Sequence, residues 1–419
     1  MTKQLKLQQP VTSGGLQNTN FFNGRLITGA DMTREQTARR ESVARLGQAV
    51  GEGIAEGLLV EVVQNAENYP IVGITPGRAI NRHGEVLGLY EYATVNLVER
   101  ISTVEQESTA FSRCSASAVT GTYAAGVGLY LLVLSPAFTK QGSAPTGGLK
   151  NSFAACSSDV ILEAVQFRLL PVDSYLANEE IPDGDRMRNF IAYVCFGAFA
   201  AEEIYENPFG RKPKTYGLID RMHQGNTLSK ADVPLAIISW SGNGLEFVDM
   251  WSVRRRVTRS NDASDWTRLL SDRRTSETEA MIRQFADHIA GEEPEKKDFQ
   301  DVEAIDFFDF LPPVGILPVA APGAKAGFNL SRFFGRRFLE EISFIDGENI
   351  QPLMRAALAR DPIDLGSNER VRLYFIRENF AAVQAGKLNQ FAVVFAKENM
   401  PNFGTARFEF SEWNLSRFV

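Results

Sequence analysis

The spacing of apolar positions changes character several times along the chain. Residues 1–28 hold few of them. Leu5, Leu7, Val11 and Leu16 punctuate a stretch of Gln, Thr, Asn and Gly, which predicts an extended arm ending in a tight cluster of Phe21, Phe22, Leu26 and Ile27. Val43, Leu46, Val50 and Ile54 then recur at helical spacing, with Arg34, Glu35, Arg39, Arg40, Glu41 and Arg45 mostly off that stripe. Thr33 and Gln36 have the spacing of a capping box, so the helix is expected to begin near Thr33. Gly51, Gly53 and Gly57 weaken a helix and let the chain turn, and residues 58–63 have strand composition.

From residue 71 the period is that of short strands: 71–74, 79–80 and 86–89, with turns at Pro76-Gly77 and His83-Gly84. This reads as an antiparallel β region. Further apolar runs follow at 94–98, 129–134, 160–170, 190–199 and 233–238, and Asn243-Gly244 is a hairpin signal. Residues 141–150 and 206–213 read as exposed connections. Residues 277–289 return to a helical period, with Met281, Ile282, Phe285 and Ile289 inward. A charged linker follows at 291–298. Residues 311–318 are too rich in proline for a central strand and predict an extended, packed connection. A helix at 350–358 and strands at 371–376 and 391–395 complete the pattern. The expectation is an α+β, β-rich fold. It comprises an arm (1–28), a helix with an antiparallel β domain (29–260), a helical and charged connector (261–298) and a C-terminal α+β domain (299–419).

Length and composition fit that picture. At 419 residues, with 44% hydrophobic and 23% charged positions, the chain is long enough for two or three domains with real cores. The net charge of −7 argues against a general nucleic-acid binder. Arg254, Arg255, Arg256 and Arg259 are an isolated basic run in this acidic chain, and are expected to face acidic surface of a neighbouring subunit. Cys114, Cys156 and Cys195 are widely spaced, which encodes neither a disulfide framework nor a zinc knuckle and suits a reducing compartment. The first residues lack the apolar run of a secretory signal, so a cytoplasmic location is expected. Residues 114–139 carry no charge and are long enough to cross a bilayer. Their first half is small and polar and Pro136 interrupts their end, which favours a loop feeding a buried strand at 129–134 over membrane insertion.

The spacings that announce chemistry are sparse. His83, His223 and His288 lie apart from one another and from any Cys, so no local metal signature exists; a turn residue at His83 and surface histidines elsewhere are expected. Gly142 and Gly147 have phosphate-loop separation, but Gly148 stands where the lysine belongs. Gly51-Glu52-Gly53 follows a helix and carries a carboxylate where a pyrophosphate would approach. Ser241 lacks the glycine two residues before it that a nucleophile elbow needs. Asp298, Asp301, Glu303, Asp306 and Asp309 alternate with Phe299, Phe307, Phe308 and Phe310. Such carboxylates could act on a polysaccharide, but acidic residues flanking aromatic anchors also suit an interdomain contact. No catalytic residue, cofactor site or metal site is assigned.

One stretch is more specific. Phe21-Phe22-Asn23-Gly24-Arg25-Leu26-Ile27-Thr28-Gly29-Ala30-Asp31-Met32, followed by Glu35-Gln36 and a helix, resembles the N-terminal signature of structural proteins encoded with phage tails and phage-tail-like contractile injection systems. The resemblance runs through Gly51 to Leu58 and Val72 to Ile80, with Gly84 closing the unit, over roughly residues 20–90. It departs at Ile54-Ala55-Glu56, where a more apolar stretch is usual. Residues 311–318, ahead of Phe333-Phe334-Gly335, carry a less specific likeness. The resemblance implies a non-enzymatic, baseplate-region subunit of such a particle, in a baseplate, cage or cap-adaptor position, with other subunits and further copies of itself as partners. The alternative is a carbohydrate- or receptor-binding fibre module. In the first case the arm is a docking device, with Phe21 and Phe22 laid on the chain's own body and its tip on a partner.

Overall fold

The structure, a computed structural model, describes residues 12–63, 71–97, 127–142, 160–177, 179–198, 217–241, 244–259, 272–337 and 343–404. Cys114, Cys156 and the loops expected at 143–150 and 206–213 lie outside the described residues. The fold is α+β and β-rich, as the hydrophobic pattern predicts.

Helix α1 (Gly29–Val50) begins earlier than expected. Its N-cap is Thr28, whose hydroxyl accepts from the Asp31 N–H, while the Asp31 carboxylate accepts from the Thr28 N–H. Thr33 lies inside the helix and its hydroxyl donates to the Gly29 carbonyl. The helix buries only Asp31 and Ala38, so the stripe of Val43, Leu46 and Val50 is exposed and not turned inward. Ile54, expected on that stripe, sits in a strand and is buried.

The strands β1 (Gly53–Gly57), β2 (Val60–Val63), β3 (Ile71–Ile74), β4 (Gly77–Ile80), β5 (Val86–Leu89) and β6 (Ala93–Asn96) form two small antiparallel sheets, in the orders β1-β4-β5 and β2-β3-β6. They pack on a four-stranded antiparallel sheet, order β10-β9-β7-β8, made of β7 (Gly128–Gln141), β8 (Val160–Pro171), β9 (Val233–Ser241) and β10 (Gly244–Asp249). The end of the uncharged run, from Gly128, is thus strand, while residues 114–126 lie outside the described residues, and among the described residues no helix is long and apolar enough to cross a membrane. Side chains alternate across β7. Tyr130, Leu132 and Leu134 face the small sheets, whereas Leu129, Leu131 and Val133 face α2 (Asp173–Leu176), α3 (Arg186–Phe196) and α4 (Gly217–Gln224). The apolar run at 190–199 is therefore helical through Phe196.

Helix α5 (Asp272–Gly291) joins this half to the next. Ala280 and Met281 pack on Ala192, Tyr193 and Phe196 of α3, while Phe285 and Ile289 enter a core crowded with phenylalanine. That core lies on one face of a six-stranded sheet, order β11-β14-β13-β18-β17-β15. The strands are β11 (Asp298–Phe299), β13 (Val314–Ala320), β14 (Gly327–Phe328), β15 (Ser343–Ile345), β17 (Val371–Ile376) and β18 (Gln390–Lys397); β12 (Phe310–Leu311) pairs separately with β16 (Ile363–Asp364). Helices α6 (Ala304–Phe307) and α7 (Leu330–Phe334) add Phe307, Phe333 and Phe334 to the same face. On the other face α8 (Gly347–Ala357) seats Leu353 and Ala357 against Tyr374 and Val394, and α9 (Arg377–Gln384) leads back to β18.

The proline-rich stretch is a central strand, contrary to the local rule. Pro318 pairs with Ala392 of β18, and on the opposite side the neighbour β14 is two residues long and pairs only at Val319. A proline is tolerated where its missing N–H leaves no partner's carbonyl unmet. The acidic and aromatic stretch at 298–310 is likewise structural. Phe299, Phe307 and Phe308 are buried, Phe310 stacks on Tyr193 at 5.0 Å, and Asp309 pairs with Arg186. Asn189 ties the contact further, accepting from the Asp309 N–H at 2.9 Å and donating to the Phe310 carbonyl at 3.1 Å.

At the junction, Asp249 has no exposed surface. Its carboxylate accepts from Arg188 at 2.8 Å, Gln284 at 3.0 Å and the Ser252 N–H at 2.9 Å, and Arg188 reaches Asp287 at 2.5 Å. Burial by itself would raise the Asp249 pKa; the Arg188 charge, with the Gln284 and Ser252 hydrogen bonds, outweighs it and holds the group below the ordinary carboxylate range. Its contribution to stability is therefore whole above that range and is lost as pH falls through the depressed value. Replacing Asp249 by Ala leaves buried Arg188 with the half-exposed Asp287 and takes the acceptor from Gln284 and the Ser252 N–H, and urea unfolding should show a loss of about 3–5 kcal/mol.

His288 is buried, not a surface residue, with its ring 5.0 Å from Phe308. Burial, aided by Arg188, lowers its pKa to about 3, so the folded imidazole stays neutral while the unfolded chain takes up a proton below its ordinary value. Stability should fall by about 2 kcal/mol between neutrality and pH 5 from this group. His288→Leu should remove that part of the pH dependence in melts recorded from pH 7 to 5.

Candidate interaction surfaces

Two places gather the residues singled out by the sequence, and a cavity makes a third. The first is the start of α1. Arg25 donates to the Asp31 carboxylate at 2.5 Å, and Arg34 meets the same group at 3.2 Å. The Thr28 hydroxyl, the Thr28 N–H and Arg25 together lower the Asp31 pKa to about 2. The Thr19 hydroxyl donates to the Asp31 carbonyl, and Arg45 reaches the Gly14 carbonyl at 2.7 Å, so the polar arm lies along the helix. The conspicuous Thr28 and Asp31 of the signature are thus a helix-start device. Their spacing was legible, but Thr33 and Gln36 offered a rival pair.

This device turns the apolar cluster outward. Phe21 is 52% exposed and Phe22 62%, which corrects the expectation that they lie on the chain's own body. Leu26 is 88% exposed, and Ile27 is exposed as well. Met32, Val43, Leu46 and Val50 continue the apolar surface along one stripe of α1, because separations of 11, 14 and 18 residues each return to nearly the same helical direction. The helix meets the body through backbone: a Cβ on Gly47 would stand 2.1 Å from the Gly84 carbonyl oxygen, so both residues are needed small for the crossing. Gln48 also donates to the His83 carbonyl, and Arg40 meets Glu163 of β8 at 2.9 Å.

The second place is the arginine run. Its backbone extends the edge of β1, with Glu52 and Thr258 exchanging hydrogen bonds and the Ile54 N–H donating to Arg255. Gly51 and Gly53, at φ 123° and 133°, make room for that approach, since a Cβ on either would lie within 2.6 Å of the passing backbone. Arg254 donates to the Leu58 carbonyl at 2.7 Å and the Gly57 carbonyl at 2.5 Å. Arg255 donates to the Trp251 and Ser252 carbonyls and lies over the Phe196 ring at 4.7 Å. These two guanidiniums serve the chain itself, which corrects their assignment to a neighbour's acidic surface. Arg256, 3.4 Å from Glu279, and Arg259 are exposed.

The third place was not foreseen. A cavity of about 90 Å³ lies between β1, α4 and α5, beside Cys195 and His223. Charges alternate along it: Glu52 meets Arg82 at 2.5 Å, Arg82 meets Asp220 at 3.5 Å, and Arg273 meets Asp220 at 2.7 Å and Glu277 at 2.9 Å. Burial pushes the Cys195 thiol up to about 12, and burial with the Arg82 charge lowers His223 to about 4. At neutral pH the Cys195 thiol is protonated and so not an activated nucleophile, and the His223 imidazole is neutral. The charged residues are engaged with one another and hold three elements together. No signal short of the fold links residues so far apart in sequence. Among the described residues no group of three His, Cys, Asp or Glu side chains could hold a metal ion.

No family model and no curated protein matches the chain. Among solved structures, one titled "Crystal structure of TssK" matches 51% of this chain at 10% identity and a TM-score of 0.21. The match spans 55% of that structure's own length.

The arginines separate into two kinds, which mutation should resolve. Arg254→Ala should lower the stability of the isolated protein by about 1–3 kcal/mol, because two carbonyls of a tight turn lose their donor. Arg256→Glu with Arg259→Glu should leave the melting temperature unchanged within error, because both side chains are exposed in the chain by itself.

Proposed function

We propose that the protein is a non-enzymatic structural subunit of a contractile, phage-tail-like injection particle, in the baseplate region. One observation carries this reading: the segment that resembles the signature of such proteins is built as a rigid, capped helix start that holds Phe21, Phe22, Leu26 and Ile27 away from the chain's own core. A large apolar side chain left in water forgoes about 1.5–3 kcal/mol of burial, so a partner that covers several of them gains a strong anchor. The exposed stripe on α1 supports the same role, since apolar positions repeating at spacings of three and four are how helices pack on one another. Such packing accommodates neighbouring subunits or further copies of this chain. Neither nucleic acid nor membrane insertion is needed, and the place of action is the cytoplasm, within a large particle.

Tyr90 and Tyr92, exposed around the β5 to β6 connection, support a second reading as a carbohydrate- or receptor-binding fibre module, because exposed aromatic rings are the usual platforms for sugars. A glycan array separates the two, and saturable binding lost in Tyr90→Ala would favour the fibre module.

The assembly reading is tested by truncation. A chain lacking residues 1–18 should remain soluble and folded, with an unchanged circular dichroism spectrum, and should be depleted at least several-fold from purified particles. Leu26→Asp with Leu46→Asp should produce the same depletion without loss of monomer stability. Normal incorporation of both variants would exclude the docking role of this surface.

A further inference from the structure

The exposed stripe of α1 has the spacing and the flanking charge of one half of a symmetric pair. Met32, Gln36, Arg39, Val43, Leu46 and Val50 follow one another at separations that alternate between four and three residues, the repeat by which two helices lie side by side along a seam. All six are exposed. In that repeat Gln36, Val43 and Val50 hold the first seam position, and Met32, Arg39 and Leu46 hold the second. Valine at the first with leucine at the second is the combination that favours two parallel strands. Gln36 and Arg39 interrupt the apolar run at its middle, and polar seam residues set register at a cost in stability. The Arg39 stem can lie along the seam with its head in water.

The chain leaves this seam open between two contacts of its own. Asp31, Ala38 and Arg45 form a line about 120° to one side of it on the helical wheel, and the arm runs there, with Thr19 on Asp31 and Gly14 on Arg45. Arg40, Ala44 and Gly47 form a line about 90° to the other side, where Glu163 and Gly84 of the body meet the helix. The two flanks carry opposite charge. Glu35 borders the seam on the arm side, where it accepts from the Thr19 N–H, and Arg40, five residues on, borders it on the body side. When two copies lie parallel and in register, Glu35 of each faces Arg40 of the other, so both pairs form at once. An antiparallel pair sets Arg40 against Arg40 and is opposed by like charge. Arg40 also meets Glu163, but these side chains are 63% and 65% exposed, and a guanidinium has donors enough for two carboxylates.

We infer that α1 is a self-association helix, and that the occupant of its stripe is α1 of a second copy of this chain, parallel and in register about a two-fold axis. This names the partner of the surface on which the assembly reading above rests. A short seam with a polar middle makes a weak pair by itself, which suits copies held close together by a larger assembly.

The test uses the isolated full-length protein. Sedimentation equilibrium at up to about 0.5 mM should show a reversible dimer in the range of weak complexes. Leu46→Asp should abolish it, and Arg39→Leu, by replacing the polar layer, should tighten it at least tenfold. Glu35→Arg and Arg40→Glu should each weaken it several-fold, and the two together should restore it, a recovery that a damaged fold cannot imitate. Val50→Cys should form a disulfide-linked dimer on mild oxidation, with Cys114→Ser and Cys156→Ser in both the variant and its control; an antiparallel pair would hold the two positions about 27 Å apart. A monomeric unaltered protein at the highest concentration overturns the inference. So does a dimer indifferent to Leu46→Asp, a charge exchange that fails to restore association, a missing cross-link, or a complex of more than two chains. None of these measurements needs a particle. A monomeric protein whose Leu26→Asp, Leu46→Asp variant is still depleted from particles would leave the assembly reading standing and give the stripe to a different subunit.

Discussion

Asp249 is an ion with no exposed surface, and the rest of the molecule is arranged so that it can stay one. Removing a carboxylate from water costs several kcal/mol, offset only when charged and neutral donors converge on it together. Here those donors come from three elements: Arg188 on α3, Gln284 on α5 and the Ser252 N–H just past β10. Arg188 then reaches Asp287, one turn along α5 from Gln284. None of these elements can shift without stranding a charge, so the position of α5 between the two halves is fixed by electrostatics as well as by the packing of Met281 and Phe285. The aromatic contact of Phe310 with Tyr193 and the Asn189 hydrogen bonds then follow on a frame already set.

The arginine run inherits its place from this anchor. It begins five residues after Asp249, so the turn held by that carboxylate launches it along the edge of β1. Two glycines let the backbones come close, and Arg254 closes the contact by reaching across to the Gly57 and Leu58 carbonyls. The same geometry brings Arg254 and Arg283 of α5 each over the Trp251 ring, at 5.6 and 4.9 Å.

Helix α1 obeys different physics. Its polar contacts are at the start, where Thr28, Asp31 and Arg25 satisfy one another, and its hold on the body is a glycine-to-glycine crossing with a few hydrogen bonds. Neither kind of contact covers the apolar stripe. A helix fixed by its caps and one backbone crossing presents that stripe on a firm support, which is the condition for a pre-organised docking surface.

Much of the architecture was legible because it rests on local patterning. Alternation over 71–89 with glycine turns, the helical period of 277–289 and the largely apolar and aromatic run at 371–376 each specify an element whatever surrounds it. The contacts of Arg254 and the Asp249 cluster were not legible, because charge in a sequence has no direction: Arg254 finds its acceptors 196 and 197 residues earlier, and nothing near it says that these are carbonyls of its own chain and not a neighbour's carboxylates. Two capping boxes competed at the start of α1, and contacts from Arg25 and Thr19 accompany the choice of Thr28. Pro318 broke a local rule that holds only where a proline leaves a partner unmet. Apolar periodicity along Val43, Leu46 and Val50 determined that one face of α1 would seek cover. Only the tertiary structure decided that the chain's own core does not provide it, because burial depends on which surfaces the fold brings opposite one another.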